Sequence, residues 1–303
     1  MLRLANGTAQ FAEAFRTRHA DYLRQAQQAD GGFAGREGAS DLYYTGFALR
    51  GLALLGELHD DVARRAGDYL RSRLRGQTPM IDFLSLIQSA MLLEATAGID
   101  VFAAAPPGWR AAAGEMFEQF RRPDGGYAKT DEGHASSTYH TFLIVVTRQM
   151  IGQAPVEPQR LIDFARARQR DDGGFVEIGP MRKSGANPTA AAIGLLKTLE
   201  SLDDDVRLAA VDFLADIQSD EGGIKANTRI PIADLLSTFT GLHTLIDLGA
   251  IDAIDLPAAR HYADSLQLDR GGFRGAAWDE AADVEYTFYG LGALALCGRV
   301  DGQ

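Results

Sequence analysis

Two kinds of apolar pattern alternate along the chain. In one, apolar residues recur at helical spacing with charges between them, as over 161–169 and 211–218. Such a stripe predicts an amphipathic helix with one wet face. The other is nearly apolar all round and covers 43–55, 83–93, 139–150, 189–199, 235–248 and 285–296. A helix of that kind is buried on all sides. The alternation predicts an all-α chain with six amphipathic helices outside six apolar ones. Gly51, Ala90, Ala192, Gly194, Gly241 and Gly292 would let the apolar helices approach one another closely.

The alternation is periodic. QADGGF, RPDGGY, RDDGGF, SDEGGI and LDRGGF place first glycines at Gly31, Gly125, Gly173, Gly222 and Gly271. The last three intervals are 48, 49 and 49 residues, and the first, 94, is two periods of 47. A degenerate copy is therefore expected near Thr78, where Tyr69-Leu70 aligns with the aromatic-apolar pair of the other copies. Paired glycines are expected to end each amphipathic helix, because glycine tolerates a left-handed cap. Six such periods use up the 303 residues. That predicts a single domain over 1–303, a closed (α/α)6 barrel rather than an open solenoid.

Composition works by exclusion. With 46% hydrophobic and 23% charged residues, the chain has the balance of a globular protein with a core. A net charge of −11 argues against nucleic acid or an anionic membrane as the main partner, though one local basic pocket is compatible with it. Cys297 stands alone, so an intrachain disulfide is impossible and a cytoplasmic setting is expected. The opening MLRLANGTAQF has no apolar run behind a basic patch, so no secretory leader is expected. The most apolar stretches, 141–146 and 289–297, fall short of the ~20 residues of a membrane span.

Tyr22-Leu23, Gln27, Gly31 and Phe33 resemble the QW motif of squalene-hopene and oxidosqualene cyclases. Phe164-Ala165 with Gln169, Gly173 and Phe175 repeats it. So do Phe213-Leu214 with Gln218, Gly222 and Ile224, and Tyr262-Ala263 with Gln267, Gly271 and Phe273. Asp41-Leu42-Tyr43-Tyr44-Thr45 and Asp283-Val284-Glu285-Tyr286-Thr287 are closer to the β subunits of protein prenyltransferases. The resemblance implies an α/α toroid in which the starts of the apolar helices surround an aromatic funnel for an isoprenoid diphosphate. Helix N-termini suit an anion, and aromatic walls suit a prenyl chain or a carbocation.

That family's zinc ligands are an Asp and a Cys two residues apart, plus a His one repeat later. Asp234 matches the Asp, but Leu236 and Tyr286 stand at the other two positions, so zinc is not expected. His140 occupies the matching place in another repeat, either as a ligand or as a hydrogen-bonded residue at a helix start. Aligned apolar-helix starts give Asp41, Asp82, Ser137, Ala186, Asp234 and Asp283. Asp41, Asp82, Asp234 and Asp283 either cap their own helices or form an acidic site. Such a site would hold magnesium or donate a proton, with mutual repulsion raising one pKa. Arg182, Lys183, Lys225, Arg229 and Arg274 are the candidate diphosphate contacts. Tyr43, Tyr44, Phe47, Phe239, Tyr286, Phe288 and Tyr289 are the candidate aromatic wall, or simply core. Leu202-Asp203-Asp204-Asp205 resembles the DxDD acid of class II terpene cyclases. Like His59-Asp60-Asp61, however, it precedes an amphipathic helix and reads as an acidic helix start.

The resemblance implies a protein that binds an isoprenoid diphosphate and transfers the prenyl group. The alternatives are a class II-like cyclase with a rim Asp as acid, or a non-catalytic toroid that binds a lipid or peptide. The implied partner is an isoprenoid diphosphate or another apolar small molecule. Self-association and a separate helical subunit both remain open.

Overall fold

A computed structural model describes residues 2–74 and 79–298. Thr78, the expected degenerate glycine position, lies outside them. The described residues form thirteen α-helices: α1 (Leu2–Thr8), α2 (Glu13–Gln25), α3 (Leu42–Leu55), α4 (Asp60–Arg73), α5 (Met80–Ala97), α6 (Trp109–Glu118), α7 (Thr138–Met150), α8 (Pro158–Arg166), α9 (Ala186–Thr198), α10 (Asp204–Asp216), α11 (Leu235–Asp247), α12 (Leu256–Ser265) and α13 (Val284–Cys297). Two antiparallel pairs of two-residue strands complete them: β1 (Tyr127–Ala128) with β2 (Ser136–Ser137), and β3 (Phe273–Arg274) with β4 (Ala282–Asp283). The fold is all-α, and every apolar helix lies where the hydrophobic pattern puts it, within a few residues.

The chain groups into two compact units, Met1–Ala105 with Pro257–Gln303, and Pro106–Leu256. In the first, α3 packs against both α5 and α13, and α2 and α4 lie on α3 and α5. In the second, α9 packs against both α7 and α11, with α8 and α10 on its other sides.

Two elements depart from the sequence pattern. α1 is an extra helix, too short to show a period, that packs on α13 and α3. Its Gly7 allows this approach, since a Cβ there would come within 2.3 Å of the Ala295 carbonyl oxygen. α5 extends beyond 83–93 at both ends. At 18 residues it is long and apolar enough, by length and composition, to cross a membrane. It packs against α3 and α4, and 44% of its window is buried.

The glycine pairs do not cap the amphipathic helices. α2 ends at Gln25, α8 at Arg166 and α10 at Asp216, several residues earlier and with no left-handed residue at the cap. The glycines serve a tight hairpin that follows. In the first repeat, Gln28 N–H donates to the Gly32 carbonyl at 2.8 Å and Gly31 N–H donates to the Gln28 carbonyl at 3.0 Å. The first glycine of each pair has φ between 85° and 92°, which a side chain rarely adopts. The second faces an aromatic ring: Gly32 meets Tyr69, Gly126 meets Phe164, Gly174 meets Phe213 and Gly272 meets Tyr22. In these four places the aromatic residue packs on the second glycine of the preceding pair, and Gly272 of the last pair meets Tyr22 of the first repeat.

The remaining motif residues tie this hairpin down. Gln27, Gln169 and Gln218 donate to the carbonyl of the first glycine at 2.9, 3.1 and 2.8 Å. The aspartate before the pair accepts from the second glycine's N–H and from a serine across the loop, as with Asp30 and Ser40, Asp124 and Ser136, and Asp172 and Ser184. A threonine on the following apolar helix then accepts the N–H after the glycines. Thr45, Thr141, Thr189, Thr238 and Thr287 do this for Phe33, Tyr127, Phe175, Ile224 and Phe273, at 2.8–3.2 Å. In these five repeats the threonine ties the hairpin to the start of the apolar helix, α3, α7, α9, α11 and α13.

Candidate functional site

In the first unit, α3 and α13 begin side by side. Asp41 caps α3 by accepting from Tyr44 N–H at 2.7 Å, and Asp283 caps α13 by accepting from Tyr286 N–H at 2.8 Å. The expectation that these aspartates cap their own helices holds for both. Asp82 differs. α5 starts at Met80 behind Pro79, which leaves Asp82 inside the first turn. Its carboxyl is half-buried and caps nothing. Burial raises its pKa, and the Asp41 charge raises it further. Asp41 is also raised by burial, against the pull of the Tyr44 and Tyr43 N–H groups. The pKa values of both carboxyls are therefore shifted upward.

The aromatic side chains expected of a wall come together here. Tyr43 meets Phe47 edge-on at 4.9 Å and Tyr44 at 5.4 Å. Phe47 meets Tyr289 at 5.2 Å and Phe288 at 5.7 Å, and Tyr286 meets Tyr289 at 6.2 Å. Three polar residues that sequence reasoning missed complete the group. Glu285 accepts from Tyr43 Oη at 2.7 Å and from Tyr289 Oη at 3.4 Å. Burial holds its pKa up, opposed by the Tyr43 bond and reinforced by Asp283. The Arg50 guanidinium lies 4.3 Å from the Phe47 centroid and 5.3 Å from that of Phe288. Arg36 binds Asp283 at 3.0 Å and grips Asp279 with two nitrogens. Glu285 was legible in principle, as the acidic residue inside the aspartate-to-threonine motif. Arg50, one turn after Phe47, had no motif to mark it.

Arg274 donates to the Ser265 carbonyl at 3.3 Å and the Asp279 carbonyl at 3.5 Å. Cys297 is buried at the far end of α13, with burial pushing its thiol up to about 12.

The second unit holds the other candidates. Asp234 caps α11, accepting from Ser237 N–H at 2.7 Å and Ser237 Oγ at 2.8 Å, and burial raises its pKa. His140 is 7% exposed on α7, and burial lowers its pKa to about 4. Ser137 Oγ accepts from His140 N–H at 3.0 Å, lies 2.9 Å from Nδ1, and donates to Glu177. With its one hydrogen on Glu177, Ser137 must accept from Nδ1–H, so the proton sits on Nδ1. Among the described residues, His140 Nε2 is then a buried lone pair with no hydrogen-bond partner. Phe239 is buried beside His243, with ring centroids 6.1 Å apart. Arg182, Lys183 and Arg229 are exposed. Asp203 caps α10, with Asp204 and Asp205 in its first turn, as expected for an acidic helix start.

A thiol-prenylating zinc site does not fit these side chains. Leu236 offers no donor, and among the described residues no three His, Cys, Asp or Glu side chains group to hold a metal.

No curated protein matches the sequence. Among solved structures, protein geranylgeranyltransferase-I of Candida albicans, complexed with GGPP, is similar with a TM-score of 0.76 and 15% identity, covering 94% of this chain and 92% of that one. The type II terpene cyclase MstE of Scytonema, in complex with geranylgeranyl dihydroxybenzoate, has a TM-score of 0.66 and 15% identity, covering 98% and 99%. A glycosidase is also similar, with a TM-score of 0.59 and 14% identity, covering 94% and 98%. At such identities the likeness is one of fold, and the fold carries more than one chemistry. The sequence pattern of the prenyltransferase alpha-alpha toroid domain matches residues 7–72 and 68–302, and the chain belongs to that family.

Proposed function

We propose that this chain binds an isoprenoid substrate against the aromatic group of α3 and α13, and acts on it by acid-initiated chemistry. The observation that carries the reading is the aromatic group itself, with Glu285, whose pKa burial raises, accepting from Tyr43 and Tyr289 within it. Asp82 is the acid: its carboxyl is not committed to a helix cap, and both burial and the Asp41 charge raise its pKa. Protonation of a substrate alkene by Asp82 breaks the π bond, forms a C–H bond and leaves a tertiary carbocation. The faces of Phe47, Tyr43 and Tyr289 stabilise that cation. A second alkene or a nucleophile of the substrate closes the ring, and loss of a proton to a carboxylate such as Glu285 ends the sequence.

Prenyl transfer is the second reading, and His140 favours it. Its Nε2 lone pair, buried and backed by Ser137 and Glu177, could take the proton of a hydroxyl acceptor that enters beside it, as the prenyl–oxygen bond forms and diphosphate leaves.

The two chemistries separate in D2O. Incubated with geranylgeranyl diphosphate or a geranylgeranylated phenol, an acid-initiated enzyme puts one deuterium on carbon in the product. Asp82→Asn should lower turnover by about 100-fold or more. Release of diphosphate with no carbon-bound deuterium would replace this reading with prenyl transfer.

A further inference from the structure

Net charge hides an uneven distribution. Within the second unit, the loops before α9 and α11 contain no acidic residue over 178–185 and 225–233, yet carry Arg182, Lys183, Lys225 and Arg229. The corresponding loop before α7 carries Asp131 and Glu132. The two acid-free loops belong to consecutive repeats and touch through the backbone, where Ala186 N–H donates to the Ala226 carbonyl at 2.9 Å. Among the described residues, Arg182, Lys183 and Arg229 are exposed and make no ion pair or side-chain hydrogen bond.

Among the described residues, the same loops hold three of the seven exposed large apolar side chains: Met181 at 43%, Ile230 at 38% and Ile232 at 40%. These are held in place. Arg170 ties the Gly179 and Met181 carbonyls at 2.7 and 3.1 Å, and the Asn227 side chain accepts Arg229 N–H at 2.9 Å. Each exposed aliphatic residue stands next to a free cation, or one proline away from its neighbour.

We propose that this face docks on an anionic lipid surface. Basic side chains meet the headgroups while Met181, Ile230 and Ile232 enter the boundary below them, the combination that interfacial binding rewards. A free diphosphate gains nothing from exposed isoleucines, and it calls for donors converging in a pocket. A protein partner would be anchored by buried aromatics in a complementary hollow, and these loops contain no aromatic residue. The acidic remainder of the chain repels the same surface, which restricts contact to this face. None of this depends on the isoprenoid reading.

The test is co-sedimentation of the full chain with vesicles of phosphatidylcholine containing about one-third phosphatidylglycerol, against pure phosphatidylcholine. Binding is expected to the anionic vesicles alone and to weaken with salt. Each neutralised cation should lower it about fivefold. The triple variant Arg182→Glu, Lys183→Glu, Arg229→Glu should abolish it. Met181→Ser, Ile230→Ser, Ile232→Ser should weaken it at least fivefold, with melting temperature unchanged. Three results would overturn the proposal: no sedimentation with anionic vesicles, binding equal in wild type and both variants, or displacement by millimolar inorganic diphosphate at constant ionic strength. A dimer in sedimentation velocity that both variants dissolve would make the occupant a second copy of this chain, and would also overturn it.

Discussion

Five threonines hold the repeats at the atomic level. Each accepts a backbone N–H that would otherwise be buried without a partner, such as that of Ile224 on Thr238 at 2.9 Å. Thr238→Val keeps the shape and removes the acceptor, so it should cost about 1–3 kcal/mol in urea unfolding. Thr96→Val, at an exposed site bonded only to its own helix, should cost far less. Buried histidines set the response to acid. His19 accepts from Gly272 N–H at 3.1 Å, and burial lowers its pKa to about 4 from 6.5. The unfolded chain then binds the proton more readily, so the stability His19 lends is present above about pH 6.5 and is lost as pH falls towards 4. Its share is on the order of 3 kcal/mol, and His19→Gln should flatten that part of the melting-temperature profile. Asp82 has the opposite sign. Its raised pKa means the folded state holds the proton longer, so stability falls as pH rises through that pKa. Asp82→Asn should therefore melt higher than wild type at pH 8, with the gain vanishing at low pH. Turnover by the wild type should fall over the same rise in pH.

At the scale of elements, periodicity carried most of the information. The apolar helices were legible because burial on all sides leaves no polar stripe, and their spacing recurs at 48 or 49 residues. The glycine pairs were legible as positions but not as roles: a helix cap and a hairpin turn both call for φ > 0, and only the residue that the next backbone atom strikes distinguishes them. Gly173 shows this, since a Cβ there would lie 2.2 Å from the Ala209 carbonyl oxygen of the following helix. Gly173→Ala should accordingly destabilise by more than the roughly 1 kcal/mol of a helix-interior glycine effect, as measured by thermal unfolding. α1 was not legible, because seven residues are two turns and the contacts that hold it come from α13 at the other end of the chain. Asp82 was misplaced by alignment. Pro79 at the helix entrance moves the start of α5 ahead of it and frees its carboxyl from capping.

For the molecule as a whole, family membership narrows the chemistry without choosing it. The aromatic residues picked out by spacing, Tyr43, Phe47, Tyr286 and Tyr289, do gather in the first unit, because α3 and α13 start together there. Their acidic neighbour Glu285 lies inside the aspartate-to-threonine motif, whereas their basic neighbour Arg50 comes from a position that no repeat motif marks, so its part in the site depended on tertiary packing. The proposed function requires this aromatic group to receive a prenyl chain. Isothermal titration with geranylgeranyl diphosphate and with geranylgeraniol tests it most directly, in wild type and in Tyr289→Ala checked for an unchanged fold. Both ligands are expected to bind with a negative heat-capacity change, the mark of apolar burial, and Tyr289→Ala to weaken both by about tenfold. Binding of the diphosphate but not of the alcohol, with no effect of Tyr289→Ala, would contradict it.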